Sequence, residues 1–282
     1  MLLFDTIFDM QGQSEKYRSQ GRKIGFVPTM GFLHEGHLSL MRIAKEKCDE
    51  LVVSIFVNPS QFAPNEDFSS YPRNFQRDIQ LLEEVGATAL FMPTQEMMYP
   101  KGYKTWVHVE KLDTKLCGIS RPHLFQGVTT VVNKLFNIVR PHIALFGQKD
   151  AQQAIIIKKM VVDLNMNIEI VIGQLIRETD GLAMSSRNSY LSEEERRDAV
   201  VLYQALQLGK RRLMEAGMGK TKILSEIRQL IEAKPTTRVD YIEMHSAKNL
   251  AEIGEHPQGD ILIALAVFVG NTRLIDNITV SI

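Results

Sequence analysis

Gly25-Phe26-Val27-Pro28-Thr29-Met30-Gly31-Phe32-Leu33-His34-Glu35-Gly36-His37-Leu38 reads as the end of a buried strand, a tight turn and the opening of an amphipathic helix. Gly31 and Gly36 permit close backbone approach to a ligand, and a helix beginning near Gly36 aims free N–H groups at it. Two imidazoles, His34 and His37, fall within one turn of that positive end. A strand that hands over to a donor-lined helix N-terminus is a place to put a polyphosphate. The stretch lacks both G-x-x-x-x-G-K-[ST] and G-x-G-x-x-G, so it is neither a P-loop nor a dinucleotide fingerprint. His-Glu-Gly-His also lacks the wider spacing of the zinc-protease helix, and no Cys or further His lies close by to complete a zinc set. Taken alone, the stretch reads equally as a turn whose histidines hydrogen-bond backbone.

The rest of the chain repeats the alternation. Before the stretch, residues 1–23 hold a short apolar start and an amphipathic helix ending near Gly21. Ile24–Pro28 is the first core strand and Gly36–Cys48 the first crossover helix. Leu51–Val57 (LVVSIFV) is a continuous β-branched run, the mark of a strand buried on both faces. It ends in the turn Asn58-Pro59-Ser60-Gln61-Phe62, at the strand edge where α/β sheets bind ligands. Pro72–Val85 reads as helix stopped by Gly86, Thr88–Met92 as strand, and Thr105–Glu110 as a short strand after a loop. Gly127–Val139 is a helix ended by Pro141. His142–Phe146 is strand, followed by Gly147-Gln148-Lys149-Asp150 and a helix from Ala151 to about Leu164, and Asn167–Ile172 closes this half. Alternating strand and helix without repeats predicts a Rossmann-like, doubly wound parallel sheet.

Near Ile176–Asp180 the pattern changes, which places a domain boundary at about residue 176: a Rossmann-like domain over 1–176 and a smaller α+β part over 177–282. Ser192-Glu193-Glu194-Glu195 is a capping box opening a long charged helix to about Ala216. A second helix covers Thr221–Ala233. Val239–His245, Ile261–Val269 and Arg273–Ser281 then suggest a small antiparallel sheet.

Lys+Arg and Asp+Glu both number 33, so no global field recruits nucleic acid or an anionic membrane. Cys48 and Cys117 are the only cysteines, which fits a reducing cytosol and argues against a disulfide-built fold. MLLFDTIFDM carries Asp5 and Asp9 and no basic region, unlike a secretory signal. The longest apolar run, Ile261 to Val269, is too short to span a bilayer. A cytoplasmic protein with no membrane or nucleic-acid partner is the expectation.

His34-Glu35-Gly36-His37 together with Met184-Ser185-Ser186-Arg187 resembles the paired signature of the adenylate-forming nucleotidyltransferase superfamily, in which a His-Ile-Gly-His-like turn and a Lys-Met-Ser-Lys-Ser-like loop clamp ATP. More narrowly, PTMGFLHEGHLSL, VNPSQF, YPR, FGQKDAQQ and GLAMSSRNSYLS, in this order, are similar to the blocks of the pantoate–β-alanine ligase family. The resemblance implies joining of (R)-pantoate to β-alanine with ATP and magnesium, through pantoyl adenylate, in a homodimer. Ala183 precedes Met184, as in the ligase family, where the wider superfamily has Lys. One departure stands out: family members read R-P-G-H-F-x-G-V where this chain has Arg121-Pro122-His123-Leu124-Phe125-Gln126-Gly127-Val128. That sets His123 and its loop apart from the family pattern.

Carried over residue by residue, the resemblance makes His37, His34, Lys149 and Arg187 the catalytic group, with His37 the proton donor. Met30, Gly31, Phe32, Leu33, Glu35, Gly36, Gly147, Gln148, Asp150, Ile176, Met184, Ser185 and Ser186 complete the ATP contacts. Gln61 and Gln153 would bind pantoate, and Gln61 also β-alanine, with Asn58 and Tyr71 in support. Chemistry agrees at several positions. Lys149 is a compact charge for phosphates, two hydroxyls and a guanidinium make an oxyanion clamp, and an amide offers a hydroxy acid both donor and acceptor. Bland readings stand beside these: helix-capping histidines, Asp150 and Gln153 as a capping pair, Asn58 as an Asx-turn, and Ser189 as linker. Asp78 is a candidate for the magnesium's outer shell, or a solvated helix carboxylate. No protein metal ligands are expected, and 177–282 is expected to act as a lid hinged near Ile176. Two further functions fit less of the chain. Adenylate transfer onto a phosphate-bearing acceptor leaves Gln61 and Gln153 unexplained, and a non-catalytic RNA-associated module lacks a basic stripe.

Overall fold

The computed structural model describes residues 1–63, 66–215 and 217–282. The first sheet and its helices run β1 (Leu2–Phe4), α1 (Ile7–Ser19), β2 (Ile24–Thr29), α2 (Glu35–Lys45), β3 (Glu50–Ile55), α3 (Phe75–Val85), β4 (Ala89–Phe91), α4 (Gln95–Met98), α5 (Cys117–Ser120), α6 (Leu124–Val139), β5 (Ile143–Gly147), α7 (Ala151–Asp163) and β6 (Glu169–Gly173). The six strands are parallel, in the order β1-β4-β3-β2-β5-β6. The order reverses between β2 and β5, and the crevice at such a switch point is where α/β sheets take ligands.

Both faces of this sheet are covered, which is why its strands are near-continuously apolar. Phe26 and Val52 pack with α1, α6 and α7, whereas Val27 and Val53 pack with α2 and α3. No strand forms over Thr105–Glu110: α6 supplies hydroxyls in place of a ladder. Thr129 donates to the carbonyl of Val107, and Val107 N–H donates to Thr130. β1 is a strand the apolar start alone did not announce; it adds to the edge at β4.

The remaining elements are α8 (Glu193–Ala199), α9 (Val201–Met214), α10 (Lys220–Glu232), β7 (Thr237–Ser246), β8 (Asp260–Val269) and β9 (Thr272–Ser281). Ser192 and Glu195 form the expected capping box, but the single long helix is interrupted at Val200; its expected end at Ala216 lies outside the described residues. The strands make an antiparallel sheet β7-β8-β9. Ile261, Ile263, Leu265 and Val267 face the helices of this part, while Leu262 and Ala264 face Leu116 and Ala151 of the first part. Among the described residues no helix is long and apolar enough to cross a membrane.

The turn leaving β2 is shaped from outside itself. Gly31 and Phe32 both have positive φ, 82° and 50°, a region that strains a side chain such as Phe32's. The N–H groups of Phe32 and Leu33 point at the Asp78 carboxylate on α3, at 2.8 and 2.7 Å. Asp78 is 2% exposed, so it is neither a solvated helix carboxylate nor free to serve a metal. Asp78→Ala leaves two buried donors unmet and should destabilise the chain by about 3 kcal/mol. Urea unfolding measures this, and a loss below about 0.5 kcal/mol, the size of an ordinary surface change, would contradict the assignment.

Candidate active site

Two adjoining cavities open at the carboxyl ends of β2 and β5. The smaller, of about 220 Å³, is lined by Met30, His34, Gly36 and His37 from the first loop and by Met184, Ser185, Ser186 and Arg187 from the second. Gly147, Lys149 and Ile176 also line it, and Val128, Val131, Val132 and Leu135 of α6 add apolar lining. The larger, of about 730 Å³, continues between the two sheets and shares Met30, Gln61, Lys149, Asp150, Gln153, Ser185 and Arg187 with the first. His37 and Arg187, 150 positions apart in sequence, therefore face one space.

The histidines do cap the helix, and the capping decides their chemistry. His34 is the N-cap of α2 and its Nδ1 accepts from Gly36 N–H at 3.2 Å, while His37 Nδ1 accepts from His34 N–H at 3.3 Å. A ring nitrogen that accepts carries no proton, so both neutral rings keep their N–H at Nε2. Burial, and then the charge of Lys149, lowers the His34 pKa to about 4. Burial holds His37 well below the usual histidine range, with His34 and Lys149 adding to it. At neutral pH the pair offers two uncharged hydrogen-bond donors beside the ammonium of Lys149.

The second loop touches the first directly. Ser186 Oγ donates to the Phe32 carbonyl at 3.3 Å across a separation of 154 residues. Ser185 Oγ caps the following single turn by accepting from Arg187 N–H, and Met184 N–H donates to the Ile176 carbonyl at 3.0 Å. Arg187 is occupied within the chain: its fork meets both oxygens of Asp67 at 2.9 and 2.8 Å, and its guanidinium lies 5.5 Å above the Tyr71 ring. Asp67 lines the larger cavity, as does Glu66, which pairs with Arg121. Sequence reading missed both carboxylates; the available signal was an acidic pair lying between the VNPSQF and YPR blocks.

Gln61 and Gln153 line both cavities, and neither side-chain amide has a partner among the described residues. Buried Asn58 forms the Asx contact with Ser60 N–H, and also bonds Tyr99 OH and the Gly127 carbonyl, so it braces the Gln61 turn. A side chain at Gly127 would meet the Ser60 carbonyl at 2.3 Å; α6 lies against the Gln61 turn only because that residue is glycine. Other residues of the expected ATP contacts lie outside the two cavity linings. Leu33 is fully buried in the core, Glu35 pairs with Arg42 at the surface, the Phe32 and Leu33 N–H groups are held by Asp78, and the Gly31 N–H donates to Thr29 Oγ1. Gln148 turns its amide to Asn277 of β9 and lines neither cavity. Asp150 makes no cap bond to Gln153, so the capping pair is not formed. His123 is the N-cap of α6 and lines neither cavity.

Among the described residues no three His, Cys, Asp or Glu side chains gather to hold a metal ion.

The His34 ring should titrate near 4 in an NMR titration, and a midpoint near its ordinary 6.5 would contradict the burial argument. Between those values the unfolded imidazole binds a proton that the folded one refuses. Stability should therefore fall as pH falls through that window.

Residues 2–279 match the family model described as Pantoate-beta-alanine ligase. A pantothenate synthetase of Pelotomaculum thermopropionicum is 52% identical over 277 residues, 98% of each chain, and one of Acetivibrio thermocellus is 50% identical over the whole of both chains. The crystal structure of pantothenate synthetase from Thermus thermophilus superposes with a TM-score of 0.93 at 40% identity, covering 100% of both chains. A pantoate-beta-alanine ligase from Francisella tularensis, complexed with beta-gamma ATP and beta-alanine, has a TM-score of 0.82 at 34% identity over 99% of this chain and 97% of its own. With matches that run the length of the chain and a cavity where both signature loops meet, this protein belongs to the pantoate–β-alanine ligase family of enzymes.

Proposed function

We propose that the chain condenses (R)-pantoate with β-alanine at the expense of ATP, through pantoyl adenylate, releasing AMP and pyrophosphate. The observation that carries this reading is the meeting of the two signature loops at Ser186 and Phe32, around a cavity that also holds Lys149 and the two glutamines. A carboxylate does not accept an amine at neutral pH. The acid oxygen first attacks the α-phosphorus and expels pyrophosphate; the amine nitrogen then attacks the acyl carbon, expels AMP and loses its extra proton. The demand on the protein is to hold negative charge that grows on phosphorus and on the departing oxygen.

His34 and His37 would meet that charge with Nε2–H donors, Lys149 with an ammonium, and Ser185 and Ser186 with hydroxyls. Because His37 is held neutral, its role as proton donor is hydrogen-bond donation at Nε2. Arg187 would exchange Asp67 for phosphate oxygens, a like-for-like swap of one bidentate oxyanion for another. The adenine would lie along Met184 and Ile176, near Asp150. Gln61 and Gln153 would take the pantoate hydroxyl and carboxyl groups, Gln61 also bordering β-alanine, with the paired methyl groups against Val128, Val131 and Val132. Magnesium would arrive with the triphosphate.

A cytoplasmic homodimer in which 177–282 closes as a lid belongs to the same proposal. β9 is docked on the Gly147–Asp150 turn, so opening has to part those contacts.

Purified protein given pantoate, β-alanine, ATP and magnesium should release AMP, and ATP alone should release none; no AMP with all four would end the assignment. His37→Ala should slow single-turnover adenylate formation about 100-fold with little change in the KM for β-alanine, because the lost donor faces charge present only in the transition state. An unchanged adenylation rate would remove His37 from the mechanism. Small-angle scattering should give twice the monomer mass and a contraction on adding ATP with pantoate; a monomer mass, or an unchanged curve, would remove the dimer or the lid respectively.

A further inference from the structure

Lys149 sits in a single 3-10 turn, Gln148–Asp150, between β5 and α7. No side chain of its own caps it: Gly147, its N-cap, makes no side-chain cap bond, and Asp150, its last residue and the N-cap of α7, makes none either. What holds it comes from the other sheet. Asn277 Nδ2 donates to the carbonyls of both Gln148 and Lys149, at 3.0 and 2.9 Å, and Asn277 Oδ1 accepts from Gln148 Nε2 at 3.0 Å. Asn277 is 4% exposed, and its amide uses its donors and its acceptor on this one turn.

The neighbouring residue fixes the strand from its opposite face. Successive side chains of a strand point to opposite sides. On β9, Leu274 and Val280 share Asp276's face and pack with the helices of the second part, while Ile275 shares Asn277's face and packs on the first. Asp276, 2% exposed, takes the fork of Arg177 at 2.7 and 2.9 Å and also accepts the N–H of Asn277 at 2.7 Å. Arg177 follows Ile176, bridges to Ala183, donates to the Gly181 carbonyl and lies 4.6 Å over the Tyr203 ring. A buried ion pair is weak evidence of stabilisation, since apolar residues of similar volume do as well. Two adjacent buried polar residues set between Leu274, Ile275 and Ile278 therefore call for a reason beyond packing.

We infer that Asn277 is a positioning residue for the reaction: through its amide, β9 sets the turn bearing Lys149 against the Arg177–Ala183 hairpin that leads into Ser185–Arg187. The inference rests on the functional reading above, in which Lys149 meets the phosphates. It makes the second sheet a component of the phosphate site through a residue that touches no phosphate itself.

The test is a double-mutant cycle in single-turnover adenylate formation at saturating ATP, with rates taken per folded molecule from near-ultraviolet circular dichroism. Asn277→Ala should slow the step about 10- to 100-fold, the scale on which misplacement by an ångström acts. Combined with Lys149→Ala it should be no slower than Lys149→Ala alone. A merely structural asparagine gives independent losses that multiply, and that result, or a single variant within about twofold of wild type, would overturn the inference. If Asn277→Ala does not fold, Asn277→Asp keeps the shape while replacing the donor with an oxygen that faces two carbonyls, and the same non-additivity is expected of it. Absence of adenylate from the wild-type chain is a separate observation; it would remove the functional reading, and the inference with it.

Discussion

The carboxylate of Asp78 holds the two backbone donors that follow Gly31, and much of the site's geometry descends from that contact. With Phe32 and Leu33 fixed, the chain enters α2 at His34, and the two imidazoles fall into their mutual cap. The Phe32 carbonyl is then presented to Ser186, and the distant loop has somewhere to dock. A buried carboxylate that accepts backbone N–H groups is costly to leave half satisfied, so this arrangement is over-determined. It also explains how a non-glycine residue at φ 50° is tolerated beside a ligand cavity.

Charge in the cavity is arranged by subtraction. Lys149 keeps a free ammonium face, with the Asp150 carboxylate 3.7 Å away, while Arg187 and Arg121 are each matched by a carboxylate from the segment after Gln61. The histidines are held neutral by burial and by Lys149. The site therefore gathers donors without a large standing positive charge, consistent with a chain in which 33 basic and 33 acidic residues balance.

Local pattern made most elements readable. Leu51–Val57 was unmistakable as a two-sided buried strand, Gly86 adopts the left-handed cap that stops α3, and Ser192 with Glu195 caps α8. The elements that escaped lack such a pattern. Leu2–Phe4 is three residues long, and Thr105–Glu110 has the composition of a strand but meets helix hydroxyls in place of a neighbouring ladder. The convergence of the short blocks was readable: His34, His37, Lys149 and Arg187 line the same small cavity. Asp67 and Asn277 were not readable as part of it, and Asp78 was readable only as a metal's outer shell, because each acts across at least 45 positions of sequence on backbone or on a side chain that no periodicity connects to it. Leu33, Glu35 and Gln148 show the converse: membership of a contiguous block does not decide which way a side chain turns.

The bond between Arg187 and Asp67 has a consequence for what can settle in the cavity. A tethered carboxylate competes at an effective concentration far above that of most solutes, so a visiting anion has to offer more than one well-placed oxygen to displace it. On the proposed reading, inorganic monoanions would lose that competition, whereas a polyphosphate engaged at the same time by Lys149 and the capped helix end would win it. Under the proposed function, the exchange at Arg187 would thereby filter ligands by valency before shape is consulted.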